Sequence, residues 1–135
     1  MSDGAPTVFV VDDDVSVRES LELLIESAGW RSQTFASAQE FLARWPVATG
    51  PSCLILDVNL PDLTGLQLQE SLARDRLHMP VIVMSGCDHG SATDRAMKAG
   101  AVAFLTKPLD ANLLLRAIEH AIRGASGRVA RAGEV

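Results

Sequence analysis

The chain has 135 residues, enough for one domain with one sizeable core. Hydrophobic residues make up 47% and charged residues 21%, an ordinary globular mix, and no apolar run approaches the roughly 20 residues that span a bilayer. A net charge of −5 argues against a nucleic-acid-binding surface, the N-terminus lacks the basic and apolar regions of a signal peptide, and a cytoplasmic location is expected.

Residues 7–11 predict a first strand, continuous and β-branched, as expected when both strand faces are buried. It runs into Asp12-Asp13-Asp14. A helix follows. Ser16 and Glu19 have capping-box spacing, Val17, Leu21, Leu24, Ile25 and Ala28 share one face, and Gly29 supplies the stop. Residues 31–35 predict a weaker strand. Ser37 and Glu40 form a second capping box, opening a short helix through Phe41, Leu42 and Trp45 that Pro46 ends. Residues 53–57 predict a third strand, apolar until Asp57. A loop at 60–65 and a helix at 66–77 come next. The fourth strand, 80–85, ends in Ser85, and a small helix at 91–99 is closed by Gly100. The fifth strand, 101–106, runs into Lys107-Pro108. Asp110 caps a last helix whose core stripe is Leu113, Leu114, Ala117, Ile118, Ala121 and Ile122. Residues 1–6 are expected to be disordered, 7–123 to fold, and the Gly-, Ala- and Arg-rich 124–135 to be a flexible tail or linker start.

Strict alternation of strand and helix predicts an α/β doubly wound fold with a parallel sheet covered on both faces. In such sheets, sites gather at the carboxyl ends of the strands, where Asp12, Asp13, Asp57, Ser85 and Lys107 all stand. A carboxylate ending a buried strand is costly unless a cation or phosphoryl chemistry uses it. Two strands delivering carboxylates to one end make a hard-cation site with a nucleophile in it. Of 12 basic residues only Lys98 and Lys107 are lysines, which makes Lys107 conspicuous. Simpler roles exist for each residue alone: a helix cap for Asp12, a turn for Asn59, a strand-end hydroxyl for Ser85, a solvated cation for Lys107. Asp14 is read as a cap and not as a ligand. The two cysteines lack metal-binding spacing, and Cys53 is expected to be a small core residue.

The pattern resembles the receiver domain of two-component response regulators. The matching residues are Val11-Asp12-Asp13, Asp57-Val58-Asn59-Leu60-Pro61, Ser85-Gly86 and Lys107-Pro108, one group after each of four strands. The stretch from Ala96 to Lys107-Pro108 resembles the subgroup with a helix-turn-helix DNA-binding output. The resemblance implies a flavodoxin-like (βα)5 fold with five parallel strands in the order 2-1-3-4-5. It implies that Asp57 takes a phosphoryl group from the phosphohistidine of a sensor histidine kinase or phosphotransfer protein. Magnesium or manganese would be held by Asp13, Asp57 and the Asn59 carbonyl, with Asp12 acting mainly through water. Lys107 would supply a cation and Ser85 a hydroxyl to the phosphoryl oxygens, and the Lys107-Pro108 bond would be cis.

The resemblance also implies a switch. Ser85 moves toward the phosphoryl group, Phe104 turns inward, and the surface of the fourth helix, fifth strand and fifth helix changes. The plain alternative for Phe104 is a core residue. Asn59 and Cys87 border the phosphoryl group and would set its lifetime. Ser16, Arg18 and Leu109 are candidates for kinase choice. Homodimer formation on phosphorylation is a further expectation, with DNA reached only through an output domain outside this chain and no membrane contact. The alternatives are a stand-alone relay receiver and a degenerate receiver that only binds partners; this chain keeps every acidic residue and the lysine. Asn59 stands where a haloacid-dehalogenase-type phosphatase needs a general acid, and three aspartates stand where a flavodoxin binds its cofactor phosphate. The chemistry that the resemblance implies is self-phosphorylation and self-dephosphorylation, not turnover of an external metabolite.

Overall fold

A computed structural model describes residues 6–43, 51–58, 79–86, 97, 98 and 100–134, with the backbone alone over 125–134. The elements are β1 (Thr7–Val11), α1 (Val15–Ser27), β2 (Arg31–Phe35), α2 (Ala38–Ala43), β3 (Ser52–Asp57), β4 (Val81–Ser85), β5 (Ala103–Thr106) and α3 (Ala111–Glu134). The strands form one sheet in the order β2-β1-β3-β4-β5, with every neighbouring pair parallel. This is the order expected. The predicted helices over 66–77 and 91–99 lie outside the described residues, apart from the helical Met97 and Lys98.

Side chains alternate across each strand, so each central strand feeds two cores. Val8, Val10, Cys53, Ile55, Ile82 and Met84 face α1 and α3, meeting Leu21, Ile25, Leu114 and Ile118. Phe9, Val11, Leu54, Leu56 and Val83 face the other way and meet Phe35, Ala38 and Phe41. There Phe41 packs edge-on against Phe35 and Phe9, with ring centroids 5.2 and 6.3 Å apart. Every residue of β1 is buried, while β2, at the sheet edge, alternates exposed Arg31 and Gln33 with half-buried Ser32 and Thr34. Cys53 is free and buried, and burial pushes its thiol up to about 12. It is a core residue, as expected.

Helix ends follow local chemistry. The spacing of Ser16 and Glu19 predicts a capping box for α1, but the cap is Asp14, whose Oδ1 accepts the Ser16 and Val17 N–H groups at 2.8 and 3.4 Å. A carboxylate two residues earlier satisfies the same orphan donors with full charge and starts the helix at Val15. The box at α2 forms as expected: the Glu40 N–H donates to Ser37 Oγ and the Ala36 N–H to Glu40 Oε1, both at 3.0 Å. Helix α1 ends in a Schellman turn. Trp30 N–H donates to Ile25 O and Gly29 N–H to Glu26 O, with Gly29 at φ +92°. Asp110 caps α3 through the Leu113 N–H at 3.1 Å.

Two boundaries differ from expectation. The Gly-, Ala- and Arg-rich stretch from 124 is expected to be a flexible tail or linker start, but its backbone is helical to Glu134. Each glycine costs a helix only about 1 kcal/mol, and the alanines and arginines around them are strong helix formers. Pro6, expected in a disordered start, is fixed by the Arg31 N–H, which donates to its carbonyl at 2.9 Å. Among the described residues, no helix is long and apolar enough to cross a membrane.

Candidate functional site

The sheet register assembles the site. Val11 pairs with Leu56, Asp57 with Met84, and Ser85 with Thr106, so Asp12, Asp57, Ser85 and Lys107 all sit at the carboxyl edge. Asp12 follows Val8 and Val10, Asp57 follows Cys53 and Ile55, and Lys107 follows Ala103 and Leu105, all packed on the α1 and α3 side. The period-two pattern that buries these apolar side chains therefore aims three charged ones at a common point.

Asp12 is fully buried and Asp57 is 4% exposed. Buried charges at this depth need partners. Lys107 Nζ donates to Asp12 Oδ2 at 2.9 Å and to Asp57 Oδ2 at 3.3 Å. The Asp14 N–H donates to the other Asp12 oxygen at 2.8 Å. Partial burial alone would lower the Lys107 ammonium. The Asp12 hydrogen bond and the charges of Asp12 and Asp57 outweigh that and hold it above its ordinary value. The Lys107 N–H also donates to Ser85 O at 2.7 Å, tying the ends of β4 and β5 together. The Lys107-Pro108 peptide bond is cis, as the resemblance implied.

Asp13 is exposed, unlike its neighbour, yet its carboxylate joins the cluster. One ligand oxygen each from Asp12, Asp13 and Asp57 lies within 4.8 Å of the others. Three hard, anionic oxygens converging on one point suit a small divalent cation such as Mg²⁺ or Mn²⁺. Ser85 is buried at the next strand end. Phe104 is half-buried and packs against the Phe9 and Val83 side of the core. Asn59 and Cys87 lie outside the described residues.

Two features beside the site were not legible as such. Arg18, a candidate for partner choice, turns inward: its Nη1 donates to the Asp12 main-chain carbonyl at 2.8 Å. Helical side chains lean toward the N-terminus, so a long cation in the first turn of α1 reaches back to the strand end. A groove of about 480 Å³ also opens beside Lys107, lined by Ser16, Val17, Leu21, Leu24, Pro108 and Leu109 among others.

The model for the response regulator receiver domain matches residues 8–119. The chain belongs to the response regulator receiver family. Nodulation protein W of Bradyrhizobium diazoefficiens is 48% identical over 112 residues, covering 82% of this chain and 48% of that protein. The transcriptional regulatory protein FixJ of the same organism is 37% identical over 118 residues, 87% of this chain and 57% of FixJ. Among solved structures, the response regulator StyR superposes with a TM-score of 0.87 at 42% identity, covering 96% of this chain and 66% of that one. The FixJ-N crystal structure gives 0.80 at 35% identity, covering 91% and 96%. The chain spans about half the length of the curated relatives it matches. It is thus a receiver domain of the two-component response regulators, with the CheY-like fold. Receiver domains bind Mg²⁺ at an acidic cluster, and the three aspartates offer such a site here.

Proposed function

We propose that Asp57 is the phosphoacceptor of this receiver. The observation that carries this is the convergence of three carboxylates within 4.8 Å, with the Lys107 ammonium bonded to two of them. An Asp57 oxygen attacks phosphorus in line, the bond from phosphorus to the donor imidazole breaks, and the histidine of the kinase or phosphotransfer protein leaves. Such a transfer needs an aligned nucleophile and neutralised oxygens more than covalent help. A divalent cation, when bound, supplies most of that neutralisation. Asp13 and Asp57 would hold it, with the Asn59 carbonyl, and Asp12 would act through water.

Lys107 adds a fixed cation on the opposite flank. Its bond to Asp57 in the resting site keeps it within reach of the phosphoryl oxygens that Asp57 acquires. Ser85 donates a hydroxyl hydrogen to another of those oxygens, and Phe104 moves with it. A phosphoryl group adds about −1.5 to −2 charges at neutral pH. Two or three new charge-assisted hydrogen bonds then favour the active form. Asn59 and Cys87 set how long the phosphoryl group survives.

The groove beside Lys107 is the docking surface for the donor, since it is lined by Lys107, whose ammonium bonds Asp57, and carries Ser16 and Leu109. Exchange with a sensor kinase places the domain in the cytoplasm. Curated relatives that are transcriptional regulators are longer, the matched stretch being 57% of each, which supports a DNA-binding output joined through α3 over a stand-alone relay. On this reading 7–123 is the receiver unit, and the helical stretch after Arg123 begins the linker.

Incubation with Mg²⁺ and acetyl phosphate, followed by intact mass measurement, tests the acceptor. One added phosphoryl mass is expected for the natural chain and none for Asp57→Asn. An Asp57→Asn protein that still gains that mass would overturn the assignment. Light scattering with Mg²⁺ and beryllofluoride tests for dimer formation, with an unchanged mass favouring a monomeric relay.

A further inference from the structure

Asp13 differs from the other two carboxylates in how it is held. Asp12 is gripped through four atoms: its N–H donates to Phe35 O at 3.1 Å, its carbonyl accepts from Arg18, and its two carboxylate oxygens accept from Asp14 N–H and Lys107. Asp57 is anchored in the paired strand β3 and bonded to Lys107. Asp13 is exposed, lies between strand and helix, and its carboxylate bonds to no other described residue. Its position in the cluster must come from the backbone that carries it.

That backbone is held from both sides by one residue. Arg18 Nη1 donates to the carbonyl of Asp12 at 2.8 Å, and the Arg18 main-chain N–H donates to the carbonyl of Asp14 at 3.0 Å. These carbonyls flank Asp13 before and after. The side-chain bond is charge-assisted, and the planar guanidinium is a rigid donor. The same arginine is half-buried against the strand end, outside the groove beside Lys107.

We propose that Arg18 is a positioning residue of the acidic site: by holding the carbonyls on either side of Asp13 it sets the loop that presents the Asp13 carboxylate to a divalent cation. The inference rests on the metal site proposed above. It makes a prediction opposite in sign to simple electrostatics. Arg18 is a cation beside a cation site, so through charge alone its removal would tighten Mg²⁺ binding. Through positioning, its removal loosens the Asp13 loop and weakens binding. Loss of an outer-shell partner commonly weakens metal binding about 10–100-fold.

The test is a set of Mg²⁺ titrations followed by amide NMR shifts, with thermal melts in the absence of metal to confirm folding. The variants are Arg18→Met, Arg18→Lys, Asp13→Asn and the double variant Arg18→Met/Asp13→Asn. Arg18→Met is expected to weaken Mg²⁺ binding about tenfold, the low end for a lost outer-shell partner. Arg18→Lys, which keeps a cationic donor, restores part of that. In the Asp13→Asn background Arg18→Met has no further effect, because the residue it positions is already gone. Unchanged or tighter binding by Arg18→Met overturns the inference, as does an equal loss in both backgrounds. Should Arg18→Met fail to fold, Arg18→Leu, which likewise lacks a side-chain donor, takes its place under the same criteria. If Asp13→Asn itself leaves Mg²⁺ binding intact, the metal-site reading fails and this inference with it; if only the Arg18 variants do, the metal site stands.

Discussion

The middle of the sheet and its carboxyl edge are built from the same strands and the same face, yet they do opposite work. In the middle, Val8, Val10, Cys53 and Ile55 meet Leu114 and Ile118 with no polar atom among their side chains save a thiol held neutral by burial. Two residues further along, the same alternation places Asp12 and Asp57 at comparable depth. The first region gains stability from apolar area removed from water. The second tolerates desolvated charge because Lys107 and the Asp14 N–H answer it. Strand periodicity aligns both, so a chain that packs its centre correctly has already aimed its chemistry.

The contrast can be broken from either side. The largest expected effect is at the edge: Asp57→Asn abolishes phosphoryl uptake from acetyl phosphate by intact mass, while its melting temperature stays within about 5 °C of the natural chain, since few contacts are lost. The converse is Ile118→Ala in the middle. It should cost about 2–5 kcal/mol by urea unfolding, as a buried truncation leaves a cavity, yet retain phosphoryl uptake wherever it is folded. A variant set in which activity and stability fall together at both sites would erase the distinction.

Lys107 stands at the junction of the two regimes. Lys107→Met leaves two buried carboxylates without their cation and should cost about 1–3 kcal/mol. Saturating Mg²⁺ should restore more stability to this variant than it adds to the natural chain. The pH dependence has a definite sign. A lysine held above its ordinary value stabilises the fold fully below that value, 10.5, and loses the contribution as pH rises through the higher folded value. The stability gap between the natural chain and Lys107→Met should therefore persist from neutral pH to 10.5 and shrink above it. A gap that closes below 10.5 would show that the lysine is not stabilised by its acidic neighbours. The smallest effect belongs to a part of neither region. Gly29→Ala places a side chain at φ +92° and should cost about 1–2 kcal/mol without altering phosphoryl uptake.

The sheet and the site were legible for the same reason. The buried strands are apolar runs that stop abruptly at Asp12, Asp57 and Ser85, and Lys107 follows the half-buried β5 in the same way. What was not legible depends on distance. No spacing rule says that Lys107 lies nearer Asp12 than Asp57, or that Arg18 reaches a main-chain carbonyl six residues back. For α1 the sequence carries two cap signals, Ser16 with Glu19 and Asp14; the Asp14 reading holds and the Ser16 box does not, since the Asp14 carboxylate takes the Ser16 and Val17 N–H groups. The helix beyond Arg123 was not legible because a Gly-, Ala- and Arg-rich stretch has little to bury, although its alanines and arginines are strong helix formers.

Helix α3 starts one residue beyond its cap, Asp110, which is the third residue after Lys107, and it runs for 24 residues. At 1.5 Å per residue that is a rod of about 36 Å, longer than the domain's own sheet is wide. Its root is seated beside the ammonium, and its far end is well clear of it. A tilt of about 5° at the root displaces the tip by roughly 3 Å. Mechanical gain of that kind is set by length alone, whatever is attached downstream.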